Sequence, residues 1–302
     1  MKYIGKALSE DYLEGNAMKL KMKTITLAIV LLTAMLFAAC GGGTAPVEEP
    51  APEPTPAPAP ASEPEPEPIL EGEILIAVAA SLQNAFEGDL IPLFNDEYPG
   101  VKVVGTYDGS GKLQVQIEEG LSAALFFSAA TKQMNELVEG GFMDGATVVK
   151  LLENEVVLIT GIDDETSVTG FENITDASHI AIGDPASVPA GQYAEEILTN
   201  LGSWDEVVAR ASLGTNVTEV LNWVAEGSAE VGIVYMTDAA SMADKVRVIA
   251  VAPEGSLEKP VVYPVGLATE LGDMAEAANA FLSFLKGSDA AKVFEKYGFK
   301  VL

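Results

Sequence analysis

The chain is nearly devoid of cysteine and histidine: Cys40 and His179 are the single residues of each type among 302. One cysteine cannot form a disulfide within the chain, and one cysteine with one histidine cannot build a Cys/His zinc cluster. A Ser/His/Asp triad would have to use His179, which opens a predicted strand and is interpreted as a structural residue. These absences disfavour a disulfide scaffold, a zinc protein and a triad hydrolase.

Basic residues are also scarce, with 17 Lys and Arg against 45 Asp and Glu and a formal net charge of -28. Nucleic-acid binding needs clustered Lys and Arg, and no basic block follows Lys23, so no nucleic-acid partner is expected. The simplest interpretation of the acidity is a soluble, self-repelling surface. Hydrophobic residues make up 48% of the chain, which is ample for a core, and the length suggests two domains or two lobes.

The first forty residues are typical of a targeting segment. Three lysines between residues 19 and 23 precede an apolar run, 25–37, that is too short for a membrane-spanning helix. Two alanines and Cys40 follow. The order resembles a bacterial lipoprotein signal with "LFAAC" as its lipobox, which implies that residues 1–39 are the signal and that Cys40 is lipidated. The alternative is that Cys40 is a buried free thiol.

Residues 40–69 combine the predicted lipidated cysteine with a Pro/Ala/Glu-rich tract that has no apolar periodicity. Such a tract cannot bury a core and is expected to be an extended, solvated spacer. A lipid anchor with a spacer predicts a protein held at the outer face of the cell membrane, with the anchor as its only membrane contact.

From residue 70 onward, strand-like runs alternate with helical patterns, which predicts an α/β fold with mostly parallel sheets. Strands are predicted at 73–80, 101–107, 124–130, 155–160, 179–184, 229–235, 246–252 and 261–269. Helices are predicted at 81–98, 111–120, 131–141, 190–202, 217–227, 273–287 and 289–299.

Several strand-to-helix junctions carry serine or small residues: Ser81 follows the first strand, Ser110 the second, and "PASVPAG" the strand at 179–184. A helix start leaves backbone N–H groups free, and the helix dipole favours an anion there. Each serine alone could simply be an N-cap. Their recurrence at equivalent strand ends favours an anion site.

The stretch "GTYDGSGKL" is not a known phosphate or hydrolase motif. A Walker loop has four residues between its glycines, whereas Gly105 and Gly111 are separated by five, and Lys112 is followed by leucine. In the G-x-S-x-G hydrolase elbow the first position is glycine, and here it is Asp108. An ATPase or a hydrolase is therefore weakly supported.

Six segments together resemble the molybdate-binding proteins of ABC transporters: "AVAASLQNAF", "YDGSGKLQVQIEEG", "ALFFSAA", "AIGDPASVPAGQYAEEIL", "AEVGIVYMTDA" and "FEKYGF". The resemblance implies a two-lobe type II periplasmic-binding-protein fold, each lobe a mostly parallel sheet flanked by helices, with the ligand in the cleft. We expect residues 70–154 and 263–302 in lobe 1 and residues 155–262 in lobe 2. It also implies a monomer that delivers an oxyanion to a membrane permease, without catalysis and without a cofactor.

Carried over residue by residue, the family's oxyanion ligands fall on Ser81 and Ser110 in lobe 1, and on Ala190, Val217 and Tyr235 in lobe 2. The resemblance implies hydroxyl donors at Ser81, Ser110 and Tyr235, and backbone N–H donors at Ala190 and Val217. Molybdenum would then be bound only as its oxyanion, with no protein atom on the metal. Because the donors come from both lobes, the anion would stabilise the closed form.

Protonation narrows the choice of anion. Molybdate, tungstate and sulfate carry no proton at neutral pH and suit a site made only of donors, whereas hydrogen phosphate calls for an acceptor. Asp108 is the residue that could make this a phosphate site, or it could be a turn residue. Lys112 is interpreted as a solvated surface lysine. Sequence leaves molybdate, tungstate and sulfate open, and a phosphate-ester hydrolase on the same fold is the remaining alternative.

One segment departs from the family pattern. Where "GAPADLFISAD" is usual, this chain reads "GLSAALFFSAA", so that Ala124 and Ala130 replace aspartates. These positions are not among the expected oxyanion donors. We expect the changes to affect loop anchoring or the contact between lobes and to leave the fold intact.

Overall fold

A computed structural model describes residues 70–302 of the chain. The predicted signal, the lipidation site at Cys40 and the spacer lie outside these residues. Within residues 70–302, none of the helices has the length and apolar character needed to cross a membrane.

The first lobe is built on a six-stranded sheet. Its strands are β1 (Gly72–Ala79), β2 (Val101–Asp108), β3 (Leu125–Phe127), β4 (Val149–Asn154), β10 (Val261–Leu267) and β11 (Lys300–Val301), and their order is β11-β4-β10-β3-β1-β2. β1 pairs in parallel with β2 and β3, whereas β10 pairs antiparallel with β3 and β4, and β11 antiparallel with β4.

The second lobe has a five-stranded sheet. Its strands are β5 (Val156–Gly161), β6 (Ile180–Gly183), β7 (Ser212–Gly214), β8 (Val231–Tyr235) and β9 (Val246–Val251), in the order β7-β6-β8-β5-β9. β6 pairs in parallel with β7 and β8, and β5 pairs antiparallel with β8 and β9.

The predicted α/β class is therefore confirmed, but both sheets are mixed and not mostly parallel. The reason is that the chain changes sheet twice, once between Asn154 and Val156 and once between Val251 and Val261. β10 returns beside β4 and must run against it, so the crossings introduce antiparallel pairs into each sheet. The predicted boundaries at 154/155 and 262/263 stay a prediction.

Helices cover the faces of the two sheets. The helical segments are α1 (residues 80–97), α2 (Ser110–Glu118), α3 (Thr131–Glu139), α4 (Pro189–Asn200), α5 (Trp204–Val208), α6 (Val217–Ala225), α7 (Met236–Ser241), α8 (Ala275–Leu285) and α9 (Ser288–Lys296), with short 3-10 turns at Phe171–Asp176 and Gly272–Met274. In α6, buried residues recur at helical spacing and face the second sheet: Val217, Val220, Leu221 and Val224.

α1 changes winding along its length, from a 3-10 turn (Ala80–Leu82) through a π-helical stretch (Phe86–Leu90) to a regular end (Ile91–Glu97). Pro92 has no N–H and its ring crowds the carbonyl four residues earlier, so local widening next to it relieves the clash. Phe86 still packs edge-on against Phe127 of β3, with ring centroids 6.0 Å apart. This core contact fixes the start of α1, and Ser81 with it, against the sheet.

Candidate ligand-binding site

A small cavity lies between the lobes where several helices begin. Residues of both lobes line it: Ala79, Ala80, Ser81, Asp108, Gly109, Ser110 and Ala129 from the first, and Val188, Pro189, Ala190, Val217 and Tyr235 from the second. All five residues predicted as oxyanion donors line it, and their roles as donors stay a prediction.

Strand register explains why the two serines meet. In the parallel pair of β1 and β2, Ala79 lies opposite Asp108, so both strands end at the same edge of the sheet. α1 and α2 begin directly after those strands, with Ser81 and Ser110 in their first turns. The starts of two helices, where backbone N–H groups lack acceptors within the helix, therefore lie at one cavity.

Ser110 is completely buried, and its hydroxyl oxygen accepts a hydrogen bond of 3.0 Å from the backbone N–H of Ala129. A hydroxyl has one hydrogen to donate, and this bond does not use it. The Ser110 hydrogen thus remains available to a solute in the cavity.

The second lobe contributes two more helix starts. Ala190 is the second residue of α4, behind Pro189, and is 1% exposed. Val217 opens α6, whose N-cap Asn216 accepts the N–H of Glu219 at 3.0 Å. The cap satisfies that N–H and leaves the N–H of Val217 without an acceptor inside the helix.

Tyr235 ends β8 and is 1% exposed, and among residues 70–302 its hydroxyl has no hydrogen-bond partner. Burial raises the pKa of Tyr235 well above its ordinary value, and the neighbouring phenols of Tyr263 and Tyr193 add to the effect. The hydroxyl is therefore protonated at any physiological pH and offers a hydrogen to the cavity.

Asp108 is the one ionisable carboxylate among the lining residues, and its oxygens are already engaged. Oδ1 accepts from the N–H of Gly109 at 2.8 Å and from the side-chain amide of Asn216 at 3.2 Å. Oδ2 accepts from the Lys112 ammonium at 2.9 Å. Three of the roughly four acceptor positions of a carboxylate are thus used. Lys112 is half-exposed, does not line the cavity, and pairs with Asp108 rather than being merely solvated.

Direct contacts join the lobes around the cavity. The N–H of Gly111 donates to the backbone carbonyl of Ser187 at 2.8 Å, and the buried Gln133 amide donates to the side-chain oxygen of Gln192 at 3.2 Å. With the bond from Asn216 to Asp108, these contacts describe lobes that have closed on each other.

Sequence reasoning missed two polar residues that support the site, the buried Tyr263 and the partly buried Asn154. The hydroxyl of Tyr263 lies 3.0 Å from the Ser81 hydroxyl, and the amide of Asn154 lies 3.2 Å from the Tyr263 hydroxyl. Asn154 falls outside every predicted element. Tyr263 could have been flagged, because a tyrosine inside a buried strand needs a partner for its hydroxyl.

The other residues singled out in the sequence do not line the cavity. His179 is exposed, contacts the Ser178 hydroxyl at 3.2 Å, and does not line the cavity. Ala124 and Ala130 are buried, and Ala130 precedes α3 without a side-chain cap. Within residues 70–302, no group of three or more His, Cys, Asp or Glu side chains is placed to hold a metal ion.

Two α/β lobes, two crossings between them, and a cavity at facing helix starts define a solute-binding protein with the type II periplasmic-binding-protein fold. Residues 74–300 match the family described as bacterial extracellular solute-binding protein, and the chain belongs to that family.

Known proteins resemble this chain over the same region. The molybdate-binding protein ModA of Escherichia coli (strain K12) is 38% identical over 240 residues, 76% of this chain and 90% of that protein. A Bacillus subtilis (strain 168) protein with the provisional name ABC transporter substrate-binding lipoprotein YvgL is 37% identical over 226 residues, 75% of this chain and 85% of its own length. The structure of the Azotobacter vinelandii periplasmic molybdate-binding protein superposes with a TM-score of 0.65 at 24% identity, covering 75% of this chain and 98% of that one.

Proposed function

We propose that this protein captures molybdate or tungstate outside the cytoplasm and delivers it to an ABC permease in the membrane. A lipid on Cys40 would hold it at the outer face of the membrane, with residues 41–69 as a spacer. Ser81, Ser110, Ala190, Val217 and Tyr235 would bind the oxyanion. The protein would act as a monomer, without a cofactor and without catalysis.

The unpartnered hydroxyl of Tyr235 is the observation that carries the proposal. A buried hydroxyl without a partner costs about 1–3 kcal/mol, so its persistence is best explained by a ligand that completes it. The hydroxyl lines a cavity whose other polar groups are the hydroxyls of Ser81 and Ser110, the N–H groups of helix starts, and the Asp108 carboxylate, whose oxygens accept from other protein donors. An anion that accepts hydrogen bonds on every side and has none to give matches such a cavity.

The names of the relatives support the same conclusion. The Escherichia coli relative is named for molybdate, and the Bacillus subtilis relative for a lipoprotein of an ABC transporter. The second name favours the lipid anchor that the sequence predicts at Cys40.

Phosphate is the second candidate anion, and the contacts of Asp108 argue against it. Hydrogen phosphate would need an acceptor for its proton, and of the residues that the structure describes Asp108 is the only carboxylate in the cavity lining. Its oxygens already accept from Gly109, Asn216 and Lys112. Sulfate shares the charge and the unprotonated state of molybdate and would be separated from it by size.

Hydrolysis of a phosphate ester is the remaining alternative. It would require a general base near Ser81 or Ser110, and the lining residues offer only Asp108, which is held by its three donors. The cavity therefore favours binding without turnover.

Calorimetric titration of the purified chain with molybdate, tungstate, sulfate and phosphate at one ionic strength tests the proposal. We expect tight binding of molybdate and tungstate, weak binding of sulfate and the weakest binding of phosphate. Ser110→Ala should weaken molybdate binding about tenfold or more, since a hydrogen bond to a charged group contributes ~1.5–3 kcal/mol. A preference for phosphate that is lost in Asp108→Asn would overturn the proposal, as would the absence of binding by all four anions.

A further inference from the structure

We infer that Tyr263 is a positioning residue that turns the Ser81 hydroxyl hydrogen toward the cavity and thereby favours oxyanions that carry no proton. Tyr263 does not line the cavity and would act only through Ser81. The inference rests on the proposed function, because it concerns how the same site selects its anion.

The direction of the hydrogen bonds is fixed at Asn154. Its side-chain oxygen accepts the N–H of Glu155 at 2.9 Å, so the two ends of the amide cannot be exchanged. The amide nitrogen then faces two hydroxyls, donating to Thr237 at 2.8 Å and to Tyr263 at 3.2 Å. An amide nitrogen only donates, so the Tyr263 oxygen is the acceptor in that bond.

The bond from Asn154 also determines the direction of the hydrogen bond between Tyr263 and Ser81. The side chain is completely buried, and burial raises the pKa of Tyr263 well above its ordinary value, so the phenol keeps its hydrogen. That hydrogen needs an acceptor, and the Ser81 oxygen lies 3.0 Å away. The phenol oxygen could accept a second bond, but among residues 70–302 the Ser81 oxygen is the acceptor within hydrogen-bond distance of the Tyr263 hydrogen, so Tyr263 accepts from Asn154 and donates to Ser81.

Ser81 is consequently left with a free hydrogen and one fewer lone pair. If the bond ran the other way, Ser81 would use its hydrogen on Tyr263 and turn a lone pair toward the cavity, where it would repel an anion. Ser110 reaches the same state by another route, because the backbone N–H of Ala129 occupies its oxygen. Both serine hydroxyls therefore donate toward the cavity. A backbone N–H fixes the orientation of Ser110, whereas the side chain of Tyr263, which can be substituted, fixes that of Ser81.

Replacement of Tyr263 by phenylalanine removes the donor to Ser81 and little volume. The Ser81 hydroxyl can then rotate and either donate to an anion or accept from one. In Tyr263→Phe we expect molybdate affinity to fall about tenfold. Phosphate affinity should fall less or rise, so the ratio of molybdate to phosphate affinity falls as well.

The control is Tyr107→Phe in the same lobe, whose hydroxyl donates to Glu87 at 2.7 Å and lies outside the cavity. It should leave both affinities unchanged. The measurement is calorimetric titration of the purified chain with molybdate, with phosphate measured by displacement of molybdate. Thermal unfolding of each variant without anion shows whether a loss of affinity is caused by a less stable fold.

A second variant reverses the direction and covers the case in which Tyr263→Phe does not fold. In Asn154→Asp the donor to Tyr263 becomes a carboxylate acceptor, so Tyr263 should donate to it and Ser81 should donate to Tyr263. We expect molybdate affinity to fall further than in Tyr263→Phe.

Suppose that the wild type binds molybdate and that Tyr263→Phe changes neither the molybdate affinity nor the ratio of molybdate to phosphate affinity. This result would overturn the inference about Tyr263 and leave the proposed function intact. An equal loss for molybdate and phosphate would overturn it too, because that pattern indicates a structural role only. Wild-type protein that binds no oxyanion would overturn the proposed function, and this inference with it.

Discussion

The side-chain amide of Asn216 donates a hydrogen bond to the carboxylate of Asp108 from the opposite lobe, over 3.2 Å. Asn216 is also the N-cap of α6, where its oxygen accepts the N–H of Glu219. One side chain therefore orders the helix start at Val217 and holds the lobes together beside the cavity. The two tasks use different atoms, so substitution can separate them.

We expect Asn216→Asp to weaken molybdate binding about tenfold or more without unfolding α6. Aspartate is as good an N-cap as asparagine, but its carboxylate would face that of Asp108 when the lobes close. Repulsion between like charges would then oppose closure, and high salt should relieve part of the loss. Calorimetric titration at low and high salt measures both effects.

Asn216→Ser is the matched control, since serine also caps a helix but adds no charge. It should lose only the bond to Asp108 and show a smaller decrease, independent of salt. Equal decreases in the two variants would show that repulsion plays no part in closure.

Tyr235→Phe should separate binding from stability. The hydroxyl has no partner in the structure, so its removal should leave the free energy of unfolding without anion unchanged or higher. Molybdate affinity should fall about 10- to 100-fold, because a hydrogen bond to a charged acceptor contributes ~1.5–3 kcal/mol. Thermal unfolding with and without molybdate, together with calorimetry, measures both quantities.

Tyr193→Phe is the comparison, as Tyr193 packs edge-on against Tyr235 with ring centroids 6.4 Å apart and does not line the cavity. It should leave binding intact. If Tyr235→Phe lowers stability and keeps full affinity, the hydroxyl serves the fold and has no role in binding.

Gly111→Ala should block closure. A Cβ at this position would lie 2.5 Å from the backbone carbonyl oxygen of Ser187 in the other lobe, where no flexible side chain can move away. Overpacking of this kind costs ~1–3 kcal/mol, so we expect anion affinity to fall about 5- to 150-fold. When the lobes are apart the methyl group meets nothing from the second lobe, and stability without anion should not fall.

The control for that experiment is Gln114→Ala on the same helix, where the side-chain amide donates to exposed Glu118. It should bind molybdate like the wild type. Small-angle X-ray scattering with molybdate adds a direct reading, because a blocked variant should keep the larger radius of gyration. Compaction of Gly111→Ala equal to that of wild type would contradict the prediction.

Much of the fold could be predicted because the buried strands are continuous apolar runs between helical patterns. β5 reads "VVLITG" and is buried throughout, and it was predicted to within a residue at each end. β4 reads "VKLLEN", is only half-buried, and pairs with β10 and β11 from the far end of the chain. No local pattern encodes that pairing, so β4 was missed, and with it the predominance of antiparallel pairs in the first sheet.

Some residues of the site could likewise be predicted from the sequence, and others could not. Ser81 and Ser110 could be found because they stand at strand ends that a parallel sheet brings to one edge, and the family resemblance supplied Ala190, Val217 and Tyr235. Tyr263 lies 182 residues from Ser81 in sequence. A hydrogen bond over that separation depends on how β10 returns to the first sheet, which the sequence pattern alone does not determine.

We expect the buried carboxyl of Asp238 to make the stability of the protein depend on pH. The side chain is 5% exposed near the start of α7, accepts the N–H of Tyr235 at 3.1 Å, and burial raises its pKa to about 7. In the unfolded chain an aspartate has a pKa of about 3.9. Between these two values the folded protein binds a proton that the unfolded chain does not, so stability falls as pH rises, by about 1.4 kcal/mol per pH unit at most.

Asp238→Asn keeps an oxygen for the Tyr235 N–H and carries no charge at any pH. Its melting temperature relative to wild type should therefore rise as pH is raised from 5 to 8, because only the wild type must bury a carboxylate at the higher pH. Thermal unfolding of both proteins at pH 5, 6, 7 and 8 measures the difference. A constant difference over that range would mean that the buried carboxyl does not take up a proton on folding, and that Tyr235 and its surroundings stabilise the charged form.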